Sequence, residues 1–240
     1  MNIMIIGASA GLGRAFMDGL GYQGDHLFGV ARRVPTARTS SPLHNGTVQH
    51  WIYADLAQPD APAQIAAAGP ETLDVLIYNL GIWESTAFSD EYDFLAQSDH
   101  ALKHLVDVNL TGALLALRHV LPALLRSNQP RLILTGSTSG LRQSGRPEAA
   151  FGATKFALNG LGDALREGYR DQGLAVTCLQ LGYLNTADPL ETPVEQAAAR
   201  DNGHTIPVHD VVALVRSMLS LSGSSFVREL VLPAIRDTRF

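Results

Sequence analysis

Short apolar runs alternate with longer amphipathic stretches along the whole chain. Runs at 1–6, 27–31, 48–53, 73–78, 132–134, 174–181 and 229–232 have strand length and are mostly apolar. Strands that are apolar throughout, rather than at every second position, are buried on both faces. Helical spacing fills the gaps at 14–20, 100–125, 150–170 and 211–221, with a shorter run at 194–200. In the longest of these, Leu102, Leu105, Val106, Leu110, Ala113, Leu114 and Leu117 recur mainly at helical steps of three or four. The pattern predicts an α/β chain, a doubly wound parallel sheet of Rossmann type with helices on both faces. A single domain over residues 1–240 is expected, with no internal repeat and no long linker. The polar stretch 36–46, with Pro35 and Pro42, reads as a surface loop. Sheets of this kind bind ligands at the C-terminal ends of their strands.

Two stretches carry the candidate chemistry. The first is Gly7-Ala8-Ser9-Ala10-Gly11-Leu12-Gly13, which follows the first strand and opens a helix. Glycines there permit a tight turn and close backbone approach to a pyrophosphate, and a helix N-terminus offers free N–H groups. The second runs from Ser137 to Lys155. Phe151 and Lys155 are four apart and would share one helix face. If the strand ending at Ser137 lies beside that helix, a hydroxyl, a ring and an ammonium converge.

Composition narrows the partners. The net charge of −5 gives no electrostatic case for nucleic acid or an anionic membrane. Cys178 is the sole cysteine, in an apolar run, and reads as a core thiol. No uncharged apolar stretch reaches the roughly 18 residues of a spanning helix. A soluble, cytoplasmic protein is expected. His100 and His104 stand four apart without a third ligand at a recognisable spacing, so a solvated helix face is expected and no metal site. His204 and His209 flank a proline turn and read as surface. Ser137 lacks a nucleophile-elbow spacing, which discounts a hydrolase triad.

Gly7-x-x-x-Gly11-x-Gly13, Asn79-Leu80-Gly81, Asn109, Ser137 and Lys155 together resemble the short-chain dehydrogenase/reductase family, in order and across nearly the whole chain. The resemblance implies a nicotinamide dinucleotide on Gly7, Ser9, Ala10, Gly11, Leu12 and Gly13. It sets Asp55 and Leu56 beside the adenine, Asn79 and Gly81 beside the ribose, and Leu184 and Thr186 near the carboxamide. It gives Ser137 (or Ser139) the substrate oxygen, Lys155 the nicotinamide ribose, and Asn109 a water linking Lys155 to solvent. It also implies a small-molecule substrate, a substrate lid at about 185–206, and a homodimer or homotetramer built on the two long helices. Ile6, Tyr78-Asn79-Leu80-Gly81 and Leu181-Gly182 depart from the family's usual residues.

The second strand ends in Arg32-Arg33 with no acid. Two guanidinium groups there suit a 2′-phosphate, and so NADP (NADPH), unless they are only a solvated loop. The substrate is expected to be small to medium and partly apolar. Trp83, Phe88 and Tyr92 are candidates for its wall, or for structural packing.

Phe151 occupies the position where the family has its proton-transferring tyrosine. Three readings stay open. The chain is a tyrosine-to-phenylalanine variant of an active carbonyl reductase, inactivated at Phe151. Alternatively, the chain uses another donor, such as Tyr183 or Ser144, or does C=C, C=N or non-redox chemistry. Alternatively, it is a nucleotide-binding pseudoenzyme with a sensing or partner role. Tyr183 reads more simply as pocket wall.

Overall fold

Along β1 (Asn2–Ile6) successive side chains enter two different cores. Ile3 and Ile5 join one apolar cluster, and Met4 and Ile6 join another. β5 (Arg131–Thr135) repeats the pattern, with Leu132 and Leu134 on the side of Met4 and Ile133 opposite. The period of two within a strand, with apolar matter on both faces, is why these runs are unbroken. Each such side chain, fully buried, contributes about 1.5–3 kcal/mol of transfer free energy.

The computed structural model describes residues 1–33 and 46–238. The loop expected at 36–46 falls, up to residue 45, outside the described residues. β2 (His26–Ala31) and β3 (Val48–Tyr53) lie to one side of β1. β4 (Val75–Tyr78), β5, β6 (Ala175–Leu181) and a closing edge strand, Glu229–Leu232, lie to the other. Every neighbouring pair is parallel. The chain therefore winds outward from β1 and then reverses between β1 and β4. A crevice opens at such a reversal, at the C-terminal strand ends.

α1 (Gly11–Gly19) and the last helix, Val208–Leu219, cover one face through Phe16, Met17, Val211 and Val215. α2 (Ala61–Ala68), α3 (Asp99–Val106), α4 (Gly112–Leu124) and α5 (Ala149–Gly168) lie on the other side, which buries Ile65, Leu117, Leu121 and Leu158. α2 has no counterpart among the expected helices. α3 and α4 form the single long helix expected at 100–125, but a π turn at Asp107–Thr111 interrupts it. This helix, 99–124, has the length and mean hydropathy of a membrane span, yet half of its most apolar stretch is buried inside the protein. It is a core helix by packing.

Beyond β6 the chain makes an excursion closed at its base by a two-residue pairing. β7 (Leu184–Asn185) lies parallel to β8 (Ile206–Pro207), with α6 (Val194–Ala199) between them. Buried Asp188 ties the excursion together. It accepts from Asn185 Nδ2 at 2.7 Å and from Arg200 Nε at 2.5 Å. The Arg200 bonds hold the Asp188 carboxyl well below the ordinary carboxylate range. With the excursion accounted for, the last helix is α7 and the closing strand β9.

Candidate active site

The turn after β1 is shaped by backbone contacts. The N–H groups of Gly7 and Ala8 both donate to the Val30 carbonyl, at 3.0 and 3.1 Å. A Cβ on Gly13 would lie 1.9 Å from the Gly7 carbonyl oxygen, so only glycine lets α1 pack this closely on the turn. The first residue before α1 is Ala10, whose side chain cannot accept a hydrogen bond, and the helix has no side-chain cap. Its free N–H groups face a cavity of about 690 Å³ bordered by Gly7, Ser9, Ala10, Gly11 and Leu12. Gly13 does not border the cavity and acts through packing instead.

The other expected residues border the same cavity, with one exception. Arg32 and Arg33 are exposed at the end of β2, and Asp55 and Leu56 follow β3. Asn79 and Gly81 follow β4, and Leu184 and Thr186 follow β6. Asn79 Nδ2 also donates to the Gly7 carbonyl at 3.3 Å, joining two of the cavity's loops. Asp25, the acid nearest β2 in sequence, is at the strand's opposite end. There it binds the N-terminal amine and the Tyr22 N–H.

Asn109 is the exception. It lies in the π turn, buried, and all its side-chain bonds go to protein. Oδ1 accepts from the Ile82 N–H at 2.8 Å, while Nδ2 donates to the Ile82 carbonyl at 2.7 Å and to Thr154 Oγ1 at 3.1 Å. The side chain ties the loop after β4 to α5. The Tyr78 hydroxyl donates to the Val108 carbonyl at 3.4 Å in the same π turn.

Ser137, Ser139, Phe151 and Lys155 all border the cavity. Ser137 Oγ accepts from the Ser139 N–H at 3.1 Å, which leaves the Ser137 proton free to donate elsewhere. The Ser137 N–H donates to Oε1 of buried Gln180 at 3.2 Å. Gln180 in turn donates to Asn159 Oδ1 at 2.6 Å and to Glu229 Oε1 at 2.9 Å, so α5 and β9 both brace the serine loop. Lys155 Nζ donates to the Thr135 carbonyl at 2.9 Å and lies 5.6 Å from the Phe151 ring centre. Burial pushes the Lys155 ammonium down to about 8. Ser144, expected as a possible proton donor, does not border the cavity.

The far end of the cavity is aromatic. Phe88 makes edge-to-face contacts with Trp83, Phe151 and Tyr183, at centroid distances of 5.9, 5.2 and 5.6 Å. Trp83, Phe88 and Tyr183 are wall residues, whereas Tyr92 is structural: its hydroxyl accepts from the Ala149 N–H at 2.9 Å. Phe88 has φ of 67°, a left-handed conformation unusual for a bulky residue. Its N–H donates to Glu148 Oε1 at 2.9 Å. Glu84 Oε1 accepts from the Ala150 and Phe151 N–H groups at 3.0 and 3.2 Å. Two buried carboxylates thus stitch the 83–92 loop to the start of α5. Arg146 also borders this end, its guanidinium 4.5 Å over the Tyr183 ring.

The short chain dehydrogenase profile matches residues 1–195. The chain belongs to the short-chain dehydrogenase family. An uncharacterized oxidoreductase of Myxococcus xanthus is 28% identical over 188 residues, covering 76% of this chain and 72% of that protein. An NADPH-dependent pterin aldehyde reductase of Arabidopsis thaliana is 29% identical over 197 residues, covering 77% and 75%. Among solved structures, the Pseudomonas aeruginosa RhlG/NADP active-site complex superposes with a TM-score of 0.79 at 23% identity, covering 100% of this chain and 96% of that one.

As a short-chain dehydrogenase, the chain calls for a nicotinamide dinucleotide, and its residues suit one. The uncapped α1 N-terminus opens on the cavity, and a Cβ on Gly7 would crowd the Leu80 backbone at 3.0 Å. Of the expected lid at 185–206, only Thr186 borders the cavity. His100 and His104 are exposed, as expected, and His104 also touches the cavity rim. Among the described residues no three His, Cys, Asp or Glu side chains gather as a metal site. Sequence reasoning missed Glu84, Glu148, Arg146 and Gln180. Their partners lie 21 to 91 residues away, and no local motif marks them.

Proposed function

We propose that this chain is an NADP(H)-dependent oxidoreductase acting between a carbonyl and an alcohol on a small to medium, partly apolar substrate. The observation that carries this is the sharing of one cavity by Ser137, Lys155 and the Phe151 ring. That constellation is complete except for one oxygen. A nicotinamide dinucleotide held in this cavity would supply or accept the hydride. The chain's own residues do the rest. Ser137 donates its free hydroxyl proton as a hydrogen bond to the substrate oxygen. Lys155 holds positive charge beneath the reacting region. The aromatic end excludes water and packs an apolar substrate body.

Arg32 and Arg33 support the choice of NADP over NAD, since both guanidinium groups stand at the cavity rim beyond β2. The name of the Arabidopsis relative is consistent with that choice. Gly7, Ser9, Ala10, Gly11, Leu12, Asp55, Leu56, Asn79, Gly81, Leu184 and Thr186 would line the dinucleotide, with Gly13 setting the turn from beneath. α4 and α5 leave Leu114, Leu115 and Phe156 exposed, which supports pairing of these helices in a homodimer or homotetramer.

Phe151 can neither donate a proton nor form an oxyanion, so carbonyl turnover would be slow in this chain. One observation favours a second reading. Tyr183 is the only tyrosine bordering the cavity among the described residues, and would be the substitute acid. Calorimetric titration with NADPH and NADH tests the binding half of the proposal. NADPH should bind more tightly, and failure to bind either dinucleotide would overturn it.

A further inference from the structure

Arg146 lies in the loop between Ser137 and α5, and its side chain is only 3% exposed. Nη2 donates to Asp237 Oδ2 at 2.5 Å, which fixes the guanidinium. Nε and Nη1 are buried and have no hydrogen-bond partner among the described residues. Unfilled donors in a low-dielectric wall are costly unless something from the cavity fills them. The cavity itself is cationic. Arg32, Arg33, Arg146 and Lys155 border it, against Asp55 as the one carboxylate among the described residues. Arg32 and Arg33 follow β2, whereas Arg146 stacks on Tyr183, which follows β6. Four strand steps separate β2 from β6. At about 4.8 Å per step, the two cationic positions are roughly 19 Å apart. Arg146 therefore belongs to the substrate end, not to the end assigned to the adenosine phosphate.

Resting on the oxidoreductase reading above, we infer that Arg146 receives a carboxylate of the substrate, so that the substrate class is a carbonyl acid or hydroxy acid with an apolar or aromatic body. The body packs on Trp83, Phe88 and Tyr183, and the reacting oxygen meets Ser137. A carboxylate is the acid that fits, because its single charge matches a guanidinium already half satisfied by Asp237. A phosphate dianion would also meet the Asp237 charge.

The test uses the unaltered protein saturated with NADPH, titrated calorimetrically with phenylpyruvate and with its neutral ethyl ester. The acid should bind at least about tenfold more tightly than the ester, the scale of one charge-assisted hydrogen bond. Arg146→Gln should abolish that preference while leaving NADPH affinity unchanged. Equal affinity for acid and ester, no measurable binding of the acid, or a preference that survives Arg146→Gln would overturn the inference. If Arg146→Gln also lost NADPH, the acid–ester comparison on the unaltered chain would decide alone. NADPH binding without acid preference refutes only this inference. Absence of NADPH binding refutes the oxidoreductase reading itself.

Discussion

The Lys155 ammonium lies 5.6 Å from the centre of the Phe151 ring, one helical turn away on α5. The lysine keeps the place it would need beneath a phenol, but the ring above it carries no hydroxyl. Its Nζ donates to the Thr135 carbonyl, and the whole side chain is buried. Charge, ring and Ser137 all face the same cavity.

Burial of Lys155 has a signed consequence for stability. Its ammonium titrates at about 8 in the folded chain, against an ordinary 10.5. Between those values the unfolded chain holds a proton that the folded chain has lost. Stability from this group therefore rises with pH across that window. Below the window both states are protonated and the burial cost is at its full value. Above it both are neutral and the cost has gone. Urea midpoints of the ligand-free protein should show this rise, and Lys155→Met should flatten it. Identical slopes in the two proteins would contradict the burial argument.

Arg32 tests the nucleotide choice. Arg32→Ala should weaken NADPH by about tenfold or more, the loss of one guanidinium–phosphate contact, and leave NADH nearly unchanged. The NADPH affinity of the unaltered chain should also fall more steeply with salt than that of the variant. Equal losses for the two nucleotides would mean that Arg32 is only a solvated rim residue.

Glu84 holds the start of α5 through the Ala150 and Phe151 N–H groups. Glu84→Ala leaves both donors without that acceptor in a buried setting, at a cost of about 1–3 kcal/mol. A lowered denaturation midpoint is expected. Trp83 fluorescence should also change, since Trp83 contacts the Phe151 ring at 6.5 Å. A midpoint equal to that of the unaltered chain would show that the carboxylate is not a working cap.

Strands and both long helices were legible because their apolar pattern reflects burial directly. β1 and β5 read as continuous runs since each feeds two cores. α2 was missed for the opposite reason. Ala61-Pro62-Ala63-Gln64-Ile65-Ala66-Ala67-Ala68 has hardly any polar face, and its proline suggests a loop although it sits in the first helical turn. The π turn was invisible, because one extra residue within a helix leaves the apolar spacing almost intact. Ser137, Phe151 and Lys155 could be read from spacing. Arg146 could not, because its partner Asp237 is 91 residues away and its burial depends on Tyr183 stacking over it. Asn109 could be read from its motif, but the three hydrogen bonds by which its side chain ties the loop after β4 to α5 could not, because their partners lie 27 and 45 residues away.

The most direct test is NADPH oxidation by Phe151→Tyr against the unaltered chain, with a panel of aryl aldehydes and ketones. Restoring one hydroxyl above Lys155 should raise turnover by about 10²–10⁴-fold, the usual scale of general acid catalysis. The gain should persist when Tyr183 is also changed to Phe. No gain from Phe151→Tyr, or activity of the unaltered chain that vanishes on Tyr183→Phe, would contradict the account.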